Sequence, residues 1–582
     1  MLIAALVFAG EWVLTPDPIA APAAGWGAFV EDIDGDGVAE LGSVSHGTLP
    51  VWVEARPGLP AEPHPFTWKE REDRHGILPC DVNGDGTYEL VVAMGGGKGT
   101  KASSALILWR EGESWRKQEL PATRGVRMRG ASCLDLDGDA RPELYFPGHG
   151  RKNPDVLLVQ EGEAWIDRAP ELGLDRLGNT FGGLWEDLDG DGDLDMVRLE
   201  DNGVVILWQD QGRFSPEPLQ AKAVRDIAVG DVDNDGDPDL YLARGGFFND
   251  AVGNHGARLH LKAGDRDVVA WQFPDTCDQA FIRAQGDFGG APARMKVADG
   301  REQQQFALNF GKRYEAIPDG DGLLVWVEPT GRVVNVLALG LEGRVTLNLE
   351  CKAGEGAPKL LVSDVDQRRP AERQDLLLLN EGGAFVRAPL PEAPDVSTAH
   401  AQFVDVDLDA DLDLFLVTES TPGTFDNAPD LLWLNDGSGG FSPAPGWPAL
   451  PEEPPVEGQF GVAVDLDGDR YPELLSFNGA YPRVQAGHVQ LWTNPGGDNG
   501  WIQVRALDGS AVALSARVVV TAEGITQSRL SNPHPDFRSN GSQSQVFGIG
   551  QAKRAKVVVT WPDGQRTVLR RVKPGTVVEV RR

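Results

Sequence analysis

A ten-residue acidic segment recurs seven times in this chain, and that recurrence limits its possible folds more than any other feature. It reads DIDGDGVAEL from residue 32, DVNGDGTYEL from 81, DLDGDARPEL from 135 and DLDGDGDLDM from 187. It continues as DVDNDGDPDL from 231, DVDLDADLDL from 405 and DLDGDRYPEL from 465. Successive copies start 49, 54, 52, 44, 174 and 60 residues apart. A period of roughly 50 residues marks a supersecondary unit that cannot bury its own apolar face, so neighbouring copies must stack into a propeller or solenoid.

Each repeat follows one pattern. A short apolar stretch leads into the first Asp (WGAFVED, AQFVD, FGVAVD), and a second follows the ninth position (LVVA, LYLA, LFLV). After a loop comes a third stretch that turns back on itself, as in ALILWREGESW, VVILWQDQGRF and LLWLNDGSGGF. Four short antiparallel strands per repeat are a propeller blade, and seven motifs predict a seven-bladed, all-β propeller. The 71 glycines and 41 prolines fit a chain of short strands and many turns. Trp12 precedes Asp32 by 20 residues, the offset that Trp115 and Phe385 keep from Asp135 and Asp405. GEWVL therefore reads as an outer strand without its own blade, and the last repeat lacks its fourth strand. The N-terminal strand is expected to complete the last blade, which removes two open sheet edges.

The 174-residue gap has its second strand at LYLARGGFFND and its third only at DLLLLNEGGAF. Residues 252–374 then form an inserted β domain, with runs such as LLVWV, VVNVLAL and VTLNL. A weaker alternative makes SDVDQRRPAERQDLLLL a decayed eighth repeat. The predicted organisation is propeller over 10–251 and 375–498, insertion over 252–374, and a small C-terminal β domain over 499–582.

The acids themselves demand a partner. Positions one, three, five and nine are Asp32, Asp34, Asp36 and Glu40 in the first copy, and Asp81, Asn83, Asp85 and Glu89 in the second. They are Asp135, Asp137, Asp139 and Glu143, then Asp187, Asp189, Asp191 and Asp195, then Asp231, Asp233, Asp235 and Asp239. The last two copies supply Asp405, Asp407, Asp409 and Asp413, and Asp465, Asp467, Asp469 and Glu473. Four carboxylates on one short turn repel and raise one another's pKa unless a cation lies among them. Calcium takes six to eight oxygens in flexible geometry, whereas magnesium keeps its waters and a stricter octahedron. Calcium in up to seven loops is the expectation, with structural ions that stabilise by mass action at extracellular concentrations. The sixth loop, with Leu408 and Ala410 where Gly is usual, is expected to bind most weakly.

Composition narrows the setting. A net charge of −34 opposes nucleic acid or an anionic membrane as partner. No apolar run reaches the roughly 18–20 residues of a membrane span. Residues 1–9, MLIAALVFA, resemble a truncated signal peptide without a basic start; the alternative is a frayed terminus. The four cysteines lack zinc-ligand spacing. Cys80 and Cys133 share a position in adjacent repeats, and Cys277 and Cys351 share the insertion. Two disulfides in an oxidising compartment, or four buried thiols, both remain open.

The repeats resemble the FG-GAP/VCBS repeats of integrin α-subunit propellers and of cartilage acidic protein. Residues 499–582 resemble the ASPIC/UnbV domain that follows such repeats, through SQVFGIGQAKRAKVVVTWPDGQRTVL from Ser544 to Leu569. The resemblance implies an extracellular, calcium-binding, acidic protein and assigns no reaction; a secreted, periplasmic or cell-surface location is the expectation.

Function is expected on the blade face away from the acidic turns, since loops on a rigid scaffold carry binding. Repeat register places His46, His149 and His255 in second-to-third-strand loops there, and His75 and His400 at first-strand entrances. Trp26, Arg127, Arg129, Phe181 and Phe460 fall near the centre. Seven of these (His46, His75, His149, His255, His400, Arg127 and Arg129) are candidate ligand residues for an extracellular protein or glycan. A bland scatter of loop histidines competes with that reading. The alternative function is a polysaccharide lyase or hydrolase using this face. GxSxG and HExxH are both absent, and GGGKGTK at 95–101 reads as an inter-strand loop because no helix follows it.

Overall fold

A computed structural model describes residues 12–16, 27–34, 38–44, 51–54, 64–65, 73–96, 102–112, 114–200, 203–221, 224–244, 249–251, 256–263, 266–273, 275–288, 291–292, 294–297, 302–309, 322–328, 332–339, 343–353, 358–363, 374–391, 398–418, 429–447, 458–478, 489–531, 539–540 and 545–582. Over these residues the fold is all-β and consists of many separate sheets. The described helices are one 3-10 turn, Pro121–Thr123, and one short α-helix, Ala169–Leu172.

Each acidic motif joins the first and second strands of its own antiparallel sheet. The first sheet runs Gly27–Glu31, Glu40–Val44, Val51–Glu54 and His64–Pro65. The second runs Arg74–Cys80, Glu89–Met94, Ala105–Glu111 and Ser114–Leu120. The third and fourth start at Ser132–Leu134 and Leu177–Glu186, and the sixth at Thr398–Val404. In the fifth sheet, Val224–Gly230 and Asp239–Arg244 pair onward with Leu376–Asn380 and Phe385–Ala388, across the inserted segment. The seventh consists of Gly458–Val464, Glu473–Asn478 and Val489–Thr493, with Val13–Pro16 as its fourth strand. Leu14 lies opposite Trp492 in that last pairing, so the N-terminal strand supplies the edge strand of the final sheet.

The buried faces of these sheets explain why they stack. Their strands alternate little and read as near-continuous buried runs, because both faces are covered. One apolar cluster joins the first and second sheets through Phe29, Ile77 and Leu90. Further clusters join second to third, third to fourth, fourth to fifth, fifth to sixth and sixth to seventh. Ala28, Val30 and Leu41 then pack with Phe460, Val462 and Leu475, which joins the seventh sheet to the first. Phe460, expected at the mouth of a binding face, is buried here and stacks on Phe477 at 4.6 Å.

Trp12 shows what the N-terminal strand contributes. It is 4% exposed and meets Trp447 edge-on at 5.2 Å, and Trp447 stacks on Trp492 at 5.2 Å. Trp12→Ala is expected to cost about 3–5 kcal/mol of stability, the usual range for emptying a buried aromatic site. Denaturant melts of the variant and parent test this; an unchanged midpoint would show that the strand is dispensable.

The inserted strands run from Asn249–Ala251 to Lys359–Ser363 and form two six-stranded sheets. Their shared core holds Trp271, Phe273, Ile282, Leu323, Val334 and Leu349. Cys277 and Cys351 are bonded within it, and Cys80 and Cys133 are bonded between the first strands of the second and third sheets. The described chain has no free cysteine. The C-terminal strands, from Gly500–Asp508 to Thr576–Arg581, make two four-stranded sheets around Ile502, Val518, Phe547, Val557 and Trp561.

Candidate metal centres and the two loop faces

The acidic turns share a backbone design. In the second to seventh turns, positions four and six take left-handed conformations: Gly84 and Gly86 have φ of 74° and 88°, and Gly190 and Gly192 have 74° and 98°. Glycine adopts these without a Cβ clash. The same region is forced on Ala140, Asn234, Leu408, Ala410 and Arg470, at about 1–2 kcal/mol each for the bulkier residues. The turn is thus kept even where its favoured residue is lost.

The ninth position does more than offer a ligand. In all seven turns one of its carboxylate oxygens accepts the N–H of the second position. The donors Ile33, Val82, Leu136, Leu188, Val232, Val406 and Leu466 lie at 2.8, 3.0, 2.7, 3.0, 2.8, 3.0 and 2.8 Å. Where the residue is Asp, its other oxygen takes a third-strand N–H: Gln209 to Asp195, Asn380 to Asp239 and Asn435 to Asp413. In those three turns the ninth carboxylate therefore staples the turn to the third strand as well. The fifth caps the turn from inside, as Asp85 accepts the N–H of Thr87 at 2.8 Å and Asp139 that of Arg141 at 2.8 Å.

Carboxylates at positions one, three and nine converge. In the first, third, fourth, fifth and sixth turns each offers an oxygen within 4.8 Å of the other two. Asp36 lies outside the described residues. Burial raises several of these acids, and the neighbouring carboxylates push those further. Glu89, Asp195 and Asp231 are pushed up to about 7, and Glu143, Asp239 and Glu473 to about 8. Asp405 and Asp413, fully enclosed, are raised well above the usual carboxylate range. Neither oxygen of Asp405 nor Oε1 of Glu473 meets a hydrogen-bond donor. A buried carboxylate without donors is costly unless a cation supplies the missing charge. The residues present therefore fit a hard, oxygen-loving cation.

Three buried acids that sequence reading passed over organise the opposite ends of the sheets. Asp155, Asp375 and Asp430 each open a third strand and accept the N–H of a residue at or just past the second strand's end: Gly148 at 2.7 Å, Arg244 at 2.6 Å and Thr418 at 2.8 Å. Asp155 also accepts from Tyr145 and Asp375 from Tyr241, at 2.7 and 2.9 Å. Asp375 further accepts from Thr398 of the next sheet at 2.6 Å, so the contact spans two sheets. The recurring signal was an Asp at the start of the third apolar run, in NPDVLLV, RQDLLLL and APDLLWL.

The candidate ligand residues separate into groups. His46, His255 and Trp26 lie outside the described residues. His75 is fully buried, paired with Asp73 at 3.0 Å and hydrogen-bonded to Arg129. His400 is also buried, on a different sheet, and pairs with Asp226 at 2.6 Å. Both brace first-strand entrances, where the backbone is bulged, and do not face solvent. His149 packs against Phe181, with ring centroids 5.1 Å apart, and its N–H donates to the carbonyl of Arg127 at 2.6 Å. Burial, then the charges of Arg129 and Arg127, lower His149 to about 4, which keeps it neutral. His75, Arg127, Arg129, His149 and Phe181 are thus one neighbourhood and His400 is elsewhere.

The repeat and the C-terminal domain now have counterparts. Residues 187–242 match the FG-GAP-like repeat, and residues 508–582 match the ASPIC and UnbV domain. The chain carries both. In sequence it matches no curated protein. Among solved structures, it aligns over 91% of its length with 99% of the V. cholerae biofilm matrix protein Bap1, at 11% identity and a TM-score of 0.37. It aligns over 83% with 97% of BBS1N, solved in complex with ARL6DN, at 10% identity and a TM-score of 0.36.

The ASPIC and UnbV domain sits on the acidic turns. Ser515 Oγ accepts the N–H of Asp135 at 3.1 Å, and Arg517 donates to Glu186 at 2.7 Å with Asp187 at 3.5 Å. Gly550 donates to the carbonyl of Leu408 at 2.9 Å. A Cβ on Gly548 would lie 2.2 Å from Asp405 Oδ2 and 2.5 Å from Leu408, so only glycine allows that approach. Leu408, an oddity in the sequence, is 1% exposed beneath this domain. In the linking segment, Asn499 donates to the carbonyl of Asp407 at 2.9 Å and accepts from Tyr471 at 3.0 Å. The short strand Ser539–Asn540 pairs parallel with Ala28 and Phe29, in the first strand of the first sheet.

Proposed function

We propose that this protein is a calcium-stabilised extracellular binding scaffold: a seven-bladed β-propeller over 10–251 and 375–498, a β insertion over 252–374, and a C-terminal β domain over 499–582. The propeller reading is supported by a cycle of apolar clusters in which the seventh sheet packs on the first. The calcium reading rests chiefly on Asp405, a buried carboxylate with no donor on either oxygen, within 4.8 Å of two further acids. Asp at position one, Asp or Asn at three, Asp at five and the ninth carboxylate would hold the ion, which supplies counter-charge and a fixed turn. Two disulfides agree with an oxidising, calcium-rich compartment.

The partner, an extracellular protein or glycan, binds on the face away from the acidic turns, around Arg127, Arg129 and His149. Covering of the acidic face by the C-terminal domain favours that choice. A base with a pKa of about 4 suits recognition better than proton abstraction at neutral pH, which weighs against the lyase or hydrolase alternative. A glycan and extracellular-protein array probed with full-length protein, with and without chelator, tests the reading. Binding abolished by Arg127→Ala with Arg129→Ala, in a variant that still melts cooperatively and keeps the parent circular-dichroism spectrum, is the expected result. Binding that survives this double substitution would remove the ligand from this face.

A further inference from the structure

The seat of the C-terminal domain carries a consequence for the ions. Its docking contacts are made to the acidic turns themselves, largely to their backbone. They reach the third turn through Ser515 and Asp135, the fourth through Arg517 and Glu186, and the sixth through Gly550 and Leu408. Asn499 meets the carbonyl of Asp407, and Gly86 of the second turn lies against Ser510. The platform is correctly shaped only while the contacted turns hold positions four and six in the left-handed region. That shape gathers carboxylates within 4.8 Å of one another, so a cation among them stabilises it. Among the described residues the C-terminal domain brings two guanidinium groups to the acids, Arg517 hydrogen-bonded to Glu186 and Arg529 acting on Asp405 through its charge, too few to neutralise the carboxylates gathered in the turns.

We infer that the ASPIC and UnbV domain is a cation-dependent latch, which stays docked on the seven-sheet body while the turns are loaded and releases as a folded unit when they are emptied. This rests on the calcium reading above. Release would also withdraw Ser539–Asn540 from the first strand of the first sheet and free the edge at Ala28 and Phe29. The linkage is reciprocal: if calcium favours docking, docking tightens calcium by the same factor.

Hydrogen exchange on the full-length protein, in calcium and in chelator, tests the latch. Chelation is expected to speed exchange at Gly550, Asp135 and Phe29, all of which lie at the contact. The domain's inner strands Arg517–Ala522 and Ala555–Thr560 should stay protected. Asn499→Ala, which leaves every carboxylate in place, should weaken calcium binding by about fivefold or more in titration calorimetry, the lower end of usual couplings. Gly548→Val should do the same by blocking the approach to Asp405, with the inner-strand protection reporting that the domain still folds. Calcium binding with contact-site exchange unchanged by chelator would overturn the latch alone. Loss of contact and inner-strand protection together would replace it with plain unfolding. No calcium uptake at all would overturn both the latch and the calcium reading.

Discussion

Chelation at pH 8 is expected to lower the melting temperature of the full-length protein by about 10 °C or more. One site at a hundred- to thousandfold excess over its dissociation constant is worth about 2.7–4.1 kcal/mol, so three or four loaded turns suffice. The effect should depend on pH in a defined direction. In the metal-free turns the folded-state pKa of Glu89, Asp195 and Asp231 stands at about 7, and that of Glu143, Asp239 and Glu473 at about 8. Burial is the first cause, and neighbouring carboxylates add to it. A carboxyl raised on folding stabilises while protonated, and that contribution is lost as pH rises through the folded value. The chelated protein should therefore lose melting temperature between about pH 6 and pH 8. The calcium-loaded protein should not, because the ion needs the ionised form. The gap between the two should narrow on acidification through that window. Calorimetric scans at pH 6, 7 and 8 check this, and a gap that widens toward pH 6 would refute the assignment of these acids as ligands.

The second large effect lies at the other end of the sheets. Arg198 and Asp155 are both wholly buried and 3.3 Å apart, and Arg198 also donates to Thr180 at 3.0 Å. Arg198→Met should cost about 3–5 kcal/mol, because it leaves a buried carboxylate without its cation. Burial already pushes Asp155 up to about 6 with the guanidinium in place. Without it the carboxyl will favour its neutral form further, so the deficit should be larger at pH 8 than at pH 5. Adding Asp155→Asn, which keeps an acceptor for the N–H of Gly148, should recover part of the loss. Urea melts of the single and double variants decide the matter; a double variant no more stable than Arg198→Met would mean the charge is not the cause.

Much of the architecture was legible because it repeats. Seven copies of one motif at a near-constant spacing fix the strand grammar, and the 20-residue offset of Trp12 from Asp32 correctly pairs Val13–Pro16 with Val489–Thr493. The cysteine pairing was open, and the structure settles it as two disulfides. Two of the candidate histidines, His75 and His400, are buried, which spacing alone does not reveal. Register places His75 and His400 at strand entrances, but a bulge there turns each ring onto an acid, Asp73 or Asp226, and into the interior. Asp155, Asp375 and Asp430 escaped notice because a single Asp before an apolar run resembles any turn residue until its N–H donors are seen.

The division follows from range. Local rules act over a turn or a strand pair, so spacing and residue type were enough to specify the acidic turns, the four-strand units and the closure by the N-terminal strand. What covers the turns depends on contacts hundreds of residues apart. Leu408 in place of glycine marked the sixth turn as the weakest expected cation site. It is a buried contact beneath Gly548 and Gly550, 140 or more positions further along the chain. Likewise Asp195, Asp239 and Asp413, which by spacing were ninth-position ligands, prove also to be staples, because the second oxygen of each finds a third-strand N–H that only the folded sheet brings near.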